Sequence, residues 1–178
     1  LDKPLVWSVI QMLYDRGENN GYVNHVTRDP LPGSTTSRVL IHLAIGDKTV
    51  SETAGEILAR SMEVPRHLPS VVDGRHVASE PYIGIEGISA YPWDGSGLML
   101  WDSGPFPIAG HDGTPLQAII NNFEPSGYNT HGMTFGQRAA RDQKAAFWRT
   151  GEVINVCGET ACLGDGYDGT PGEYSPQP

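Results

Sequence analysis

The fold turns on "LIHLAIGDKTVSETAGEIL", residues 40–58. Residues 38–45, RVLIHLAI, are apolar apart from Arg38 and His42. That pattern suits a strand covered on both faces, as in a parallel sheet. Gly46 permits a tight turn, Asp47 follows it, and a helical pattern begins shortly after. Thr49 and Glu52 have the T-x-x-E spacing of a capping box, and Ser51 is a second candidate cap. The helix is expected to run to about Met62, to bury Ala54, Ile57, Leu58 and Ser61, and to end before Pro65. A carboxylate at the carboxyl end of a parallel strand sits where open α/β sheets gather reactive groups. Helix N–H groups just beyond help to hold it ionised. A buried anion there needs a cationic or donor partner, and histidine is the usual one.

Outward from this stretch, residues 4–15, PLVWSVIQMLYD, read as a helix with Pro4 in its first turn and Leu5, Val9, Met12 and Leu13 near one face. A turn-rich loop follows. Residues 63–95 have no strong period. GLMLWDSG, 97–104, is a second short apolar strand, and 104–130 is a long loop. Residues 134–151, TFGQRAARDQKAAFWRTG, read as a helix packing Ala139, Ala140, Ala146 and Phe147 inward, with Arg138, Arg141 and Lys144 in water and Gly151 as its stop. EVINVCG, 152–158, is a candidate last strand. Residues 1–163 form the expected domain and 164–178 a polar Gly/Pro-rich tail, with no internal repeat.

Helix, strand, helix, long excursion, strand, loop, helix is the order of an open α/β fold. Two convincing strands leave sheet edges unsatisfied and apolar faces uncovered. The expectation is therefore a sheet completed by another chain or fragment. The first residue, Leu1 in place of Met, likewise leads us to expect a larger parent, cleaved or trimmed.

Composition narrows the function. The 178 residues contain 22 Gly and 14 Pro, about a fifth of the chain against roughly 12% on average, so the fold is loop-rich. The net charge of −9 with no basic stripe argues against nucleic acid and anionic membrane surfaces. No apolar run approaches the ~18 residues of a membrane span, and "LDKPLVWSV" lacks the pattern of a secretory leader. Cys157 and Cys162 lie five apart around a glycine-containing loop. Their pairing is geometrically reasonable and would suit an exported protein, secreted or periplasmic; two free thiols are the alternative. Two thiols do not complete a zinc site, and no histidine is near them in sequence.

Six histidines are candidate partners for Asp47: 25, 42, 67, 76, 111 and 131. His131 is best placed, in the loop GYNTHGMTF directly before a helix. His42 lies inside a strand and reads as a core or supporting residue. The others lie in polar loops and read as surface groups.

VLIHLAIGDKTVSETAGEIL followed by NTHGMTFGQRAARDQKAAFW resembles the carboxyl-terminal part of an α/β-hydrolase, of the secreted bacterial esterase or lipase type. There a late strand ends in a glycine turn with the acid, often as Asp-x-x-Val, here Asp47 to Val50. The histidine precedes the last helix, and chain order is nucleophile, acid, histidine. The resemblance implies Asp47 as acid and His131 as base, with no cofactor or metal. The two are 84 positions apart, longer than usual, which makes residues 63–95 and 104–130 insertions. Asp102, 29 positions before His131, is a rival acid.

G-x-S-x-G does not occur; GISAY at 87–91 and DGSGL at 94–98 come nearest, and neither sits between a buried strand and a helix. The resemblance thus places the serine on an upstream fragment or companion chain, which also carries the remaining strands. Its substrate would be a small-molecule or lipid ester. The alternative is a non-catalytic binding or structural module of hydrolase-like shape. A calcium site at Asp165, Asp168 and Glu173 is disfavoured, since DGYDG lacks the ligand spacing. Tyr91/Trp93 and Trp101/Phe106 read as core first and as a cleft lining second.

Overall fold

The structure, a computed structural model, describes residues 2–14, 17, 21–47, 49–73, 80, 82–104, 129–165, 167 and 169. The chain divides into two compact units, Leu1–Ser37 and Arg38–Pro178.

The first unit holds α1 (Asp2–Tyr14) and the short α2 (Asn24–Thr27). The face expected on α1 exists as a helical pattern, yet Leu5, Val9, Met12 and Leu13 are all exposed. The segment after α1 folds by local bonds, among them His25 and Val26 N–H to the carbonyls of Tyr22 and Val23.

The second unit is a mixed α/β structure. Its centre is a parallel three-stranded sheet in the order β1 (Leu40–Ala44), β3 (Gly97–Asp102), β5 (Cys162–Leu163), with the short β2 (Trp93–Asp94) preceding β3 in sequence. The register pairs Leu40 with Gly97 and Ala44 with Trp101. Side chains alternate across a sheet, so Leu40, His42, Met99 and Trp101 share one face while Ile41, Leu43, Leu98 and Leu100 share the other. Every residue of β3 is buried, as expected of a central parallel strand covered on both sides.

Helices flank the sheet. Helix α3 (Glu52–Met62) lies on the Leu43 face, so close that a Cβ on Gly55 would collide with the Leu43 side chain. Two further helices, α4 (Met133–Gly136) and α5 (Arg138–Thr150), come later in the chain. Helix α5 covers the opposite face, where Ala140 joins Ile88, Met99, Trp101, Val153 and Cys162 in the core, with Tyr91, Trp93 and Phe147 packed against it. These aromatics are core residues; Phe106 lies outside the described residues.

Four expectations need correction. The parallel sheet has a third strand, β5, because Cys162 and Leu163 pair with Trp101 and Asp102 on the far side of β3. Of 152–158 only Glu152–Val153 (β4) is a strand, and it pairs antiparallel with β2 in a separate sheet. The single helix over 134–151 breaks at Gln137, which is extended at φ −67° and ψ 124°. Gly151 does close α5, at φ +74°. Finally, α3 buries Glu52, Gly55, Glu56, Ala59 and Met62, whereas Ala54 and Ile57 are exposed. The close Gly55–Leu43 approach turns the glycine side of α3 to the sheet and carries two glutamates inward with it.

The segment read as a tail begins inside the fold. Gly164 N–H donates to the Asp102 carbonyl (2.7 Å), and Asp165 N–H to Gln137 Oε1 (2.8 Å). Asp168 and Glu173 lie outside the described residues.

Gly97 opens β3 against a fully buried Val153. A Cβ there would stand 2.8 Å from Val153 Cγ2 and 3.3 Å from Cγ1. A β-branched neighbour cannot swing aside. Gly97→Ala should therefore lower stability by about 1–3 kcal/mol, read as a reduced urea midpoint at unchanged slope. An unchanged midpoint would contradict this close packing.

Candidate functional site

The site forms where β1 runs out. Ile45 N–H still donates to the Trp101 carbonyl (2.9 Å), and Gly46 then turns the chain at φ +80°, in the left-handed region that favours glycine. Asp47 follows, its side chain only 12% exposed. Its Oδ1 accepts the N–H groups of Thr49 (2.8 Å) and Val50 (2.9 Å). These donors lie just ahead of α3 and supply the dipole stabilisation expected of a helix start. The capping box does not form. Thr49 N–H is taken by Asp47, Ser51 is the N-cap residue without a side-chain bond, and the Glu52 carboxyl reaches back to Gly46 N–H instead.

His131 comes to this turn from the loop before α4. Its Nδ1 lies 2.9 Å from Asp47 Oδ2 and 3.2 Å from Oδ1. A carboxylate accepts, so Nδ1 carries a proton, and in the neutral ring Nε2 presents its lone pair. The imidazole is half-exposed, and Nε2 has no hydrogen bond among the described residues. The loop is strapped down at three points. The Thr130 hydroxyl, fully buried, donates to the Ile45 carbonyl (2.8 Å). Asn129 Nδ2 donates to Thr49 Oγ1 (3.0 Å), and Asn129 Oδ1 accepts His131 N–H (3.1 Å). An imidazole so oriented can take a proton from a nucleophile approaching Nε2.

The carboxylate that meets His131 is that of Asp47. The rival, Asp102, is 1% exposed and accepts Gly104 N–H (2.8 Å). His42 is a partly buried residue on the α5 face. Its Nε2–H donates to Gln143 Oε1 (2.8 Å), whose amide is oriented by Nε2–H donating to the Ile154 carbonyl (2.7 Å). Burial, with the Lys144 ammonium adding to it, pushes the His42 pKa down to about 4, so the ring is neutral. Ser96 Oγ accepts Val39 N–H (2.9 Å), which makes it a strap between strands, and Ser89 is exposed. His76 and His111 lie outside the described residues.

Cys157 and Cys162 form the expected disulfide. Two features were missed in the sequence. The first is His67, which stands beside the disulfide and, expected at the surface, is 1% exposed. The backbone bond from His67 N–H to the Leu98 carbonyl (2.9 Å) draws it against the start of β3. Its Nδ1 meets the Tyr91 hydroxyl (2.7 Å) and its Nε2 the Thr160 carbonyl (2.8 Å). The ring nitrogen and the two sulfurs lie within 4.8 Å of one another.

The second is Glu52, 3% exposed beneath the acid turn. Burial pushes its pKa up to about 8. The Gly46 hydrogen bond opposes the shift, and the nearby carboxylates of Glu56, Asp102 and Asp47 add to it. Among the described residues its Oε2 has no hydrogen-bond partner, which would cost far more for a charged group than for a protonated one. Folded Glu52 therefore holds a proton that unfolded Glu52 has released across roughly pH 4.5 to 8. At this site the folded state binds more protons in that window, so the contribution of Glu52 to stability falls as pH rises through it, while His42 contributes in the opposite sense up to about pH 6.5. Glu52→Gln keeps an oxygen for Gly46 and loses the charge. Urea midpoints from pH 5 to 8.5 should decline less in this variant, with the largest gain over wild type at the alkaline end. Superimposable profiles would contradict the buried proton.

No protein-family model, curated protein or solved structure matches this chain.

Proposed function

We propose that this chain supplies the acid and the base of a serine hydrolase acting on carboxylic esters, with the nucleophilic serine on a polypeptide outside these 178 residues. The supporting observation is the Asp47–His131 contact of 2.9 Å at the carboxyl end of a parallel strand, on an imidazole that is half-exposed. The order of acid before histidine agrees with it.

In the proposed reaction, a serine hydroxyl oxygen attacks the ester carbonyl carbon while His131 Nε2 takes its proton. The imidazolium so formed is stabilised by Asp47. Nε2–H then protonates the departing alkoxide, which leaves as the alcohol. Water repeats the cycle on the acyl-serine, with His131 again as base and then as acid.

The docking edge we assign to the serine-bearing polypeptide is β1. In the parallel register, Val39 and Ile45 exchange backbone bonds with β3. The backbone groups of Leu40, His42 and Ala44 then point to the other side, where no described strand lies. A cavity of about 450 Å³ runs along that edge, lined by Leu40 and His42 of β1 and by Lys144, Phe147 and Trp148 of α5. Trp148 is 88% exposed. A parallel strand followed by a helix would satisfy the edge and cover the indole. The structure has no helix long and apolar enough to cross a membrane among the described residues. With the disulfide this is compatible with export, and we place the assembly outside the cytoplasm.

The missing nucleophile favours a second reading, a binding or structural module without catalysis. Native material captured through this chain and treated with a fluorophosphonate serine probe separates the two. The hydrolase reading expects label on a co-purifying chain and none on this one. Asp47→Asn should slow labelling by roughly 10³–10⁴-fold, because the new amide would donate to Nδ1 and put the imidazole proton on Nε2. Absence of label on every chain would support the non-catalytic module, and an unslowed Asp47→Asn would remove Asp47 from the mechanism.

A further inference from the structure

The Cys157–Cys162 loop is held by more than its disulfide. Asn155 Oδ1 accepts the N–H groups of Cys157 (3.0 Å) and Gly158 (2.8 Å), and Asn155 Nδ2 donates to the Gly158 carbonyl (2.9 Å). Thr160 Oγ1 donates to the Cys157 carbonyl (3.0 Å). At the other end, Cys162 is fixed by its pairing with Trp101 across β5 and β3. Both cysteines are thus positioned by backbone bonds, with their Cα atoms 4.9 Å apart. Opening the sulfur–sulfur bond removes none of these contacts.

His67 is aimed at the same loop. It reaches the Thr160 carbonyl between the two cysteines through Nε2, and Tyr91 braces Nδ1 from behind. Two sulfurs of one loop and an imidazole distant in the chain therefore converge within 4.8 Å, two of the three residues being buried. A tetrahedral zinc-class ion takes sulfurs at about 2.3 Å and imidazole nitrogen at about 2.0 Å. Two such sulfurs stand ~3.8 Å apart, a separation that side-chain rotation supplies without moving the backbone.

We propose that the reduced form of this loop binds one zinc-class divalent ion through the Cys157 and Cys162 thiolates and His67 Nε2. The disulfide and the metal are alternative ways of closing one loop, and the site is independent of the proposed hydrolase activity. A phosphine reductant supplies the two electrons. It becomes the phosphine oxide by taking the oxygen of a water molecule, whose two hydrogens end on the cysteine sulfurs. Metal binding then releases these two thiol protons to solvent. The imidazole proton, now on Nε2 and donated to Thr160, moves to Nδ1 and is donated to the Tyr91 oxygen. Tyr91 thereby fixes the ring for coordination, as partners behind metal-bound imidazoles do. Water or an added ligand takes the fourth position.

Cobalt(II) is the probe, added without oxygen to the full chain after reduction by a phosphine that is then removed. The proposal expects one equivalent bound, with a thiolate-to-cobalt charge-transfer band and tetrahedral d–d bands that zinc erases. The oxidised chain should show neither band. His67→Gln should weaken binding at least tenfold, and Tyr91→Phe, which keeps all three ligands, by roughly tenfold. Absence of bands in the reduced chain, or equal affinity in His67→Gln, overturns the site. If His67→Gln does not fold by circular dichroism, Tyr91→Phe decides, and unchanged affinity there overturns it. A chain that unfolds on reduction and is not restored by cobalt overturns it as well.

Discussion

The Ile45–Gly46–Asp47 turn is held from every side, and the site depends on that restraint. Ile45 donates its N–H to β3, and its carbonyl accepts the Thr130 hydroxyl. Gly46 gives its N–H to Glu52, and Asp47 gathers two backbone N–H groups before it meets His131. Buried backbone groups must find partners. Here the partners come from the strand beside the turn, the helix after it and a loop 85 positions away. One short turn therefore registers three parts of the chain against one another. The imidazole follows as the last member of the set, one residue beyond Thr130.

The Asp47–His131 contact adds little to the stability of the fold. His131 is half-exposed, and pairs of that kind are worth about 0–1 kcal/mol. What the contact contributes is orientation: it fixes which ring nitrogen holds the proton and where the other one points. Glu52 works in the opposite sense. A carboxyl buried among carboxylates is a local conflict, and such conflicts gather beneath functional sites. Its proton lets it brace the turn without adding a further negative charge under Asp47.

The sequence carried the Asp47–His131 contact because each residue sits in a context with a physical meaning. One ends an apolar strand at a glycine, and the other precedes an amphipathic helix. The parallel sheet was legible for the same reason, from two apolar runs separated by a helix. The third strand was not, since two residues, Cys162 and Leu163, carry no periodicity. The buried face of α3 was misjudged because a charge pattern places Glu52 and Glu56 outward, and the close approach of Gly55 to Leu43 overrides it. His67 was read as a surface group because its neighbours are polar. Its burial comes from a backbone bond to Leu98 and from Tyr91 and Thr160, all distant in the chain.

The protonation state of one ring tests the central claim most directly. Long-range proton–nitrogen correlation spectra of neutral His131 report which nitrogen bears the hydrogen. Orientation by Asp47 predicts hydrogen on Nδ1 in the wild-type chain and on Nε2 in Asp47→Asn. Hydrogen on Nε2 in the wild type, or a spectrum indifferent to the substitution, would contradict it.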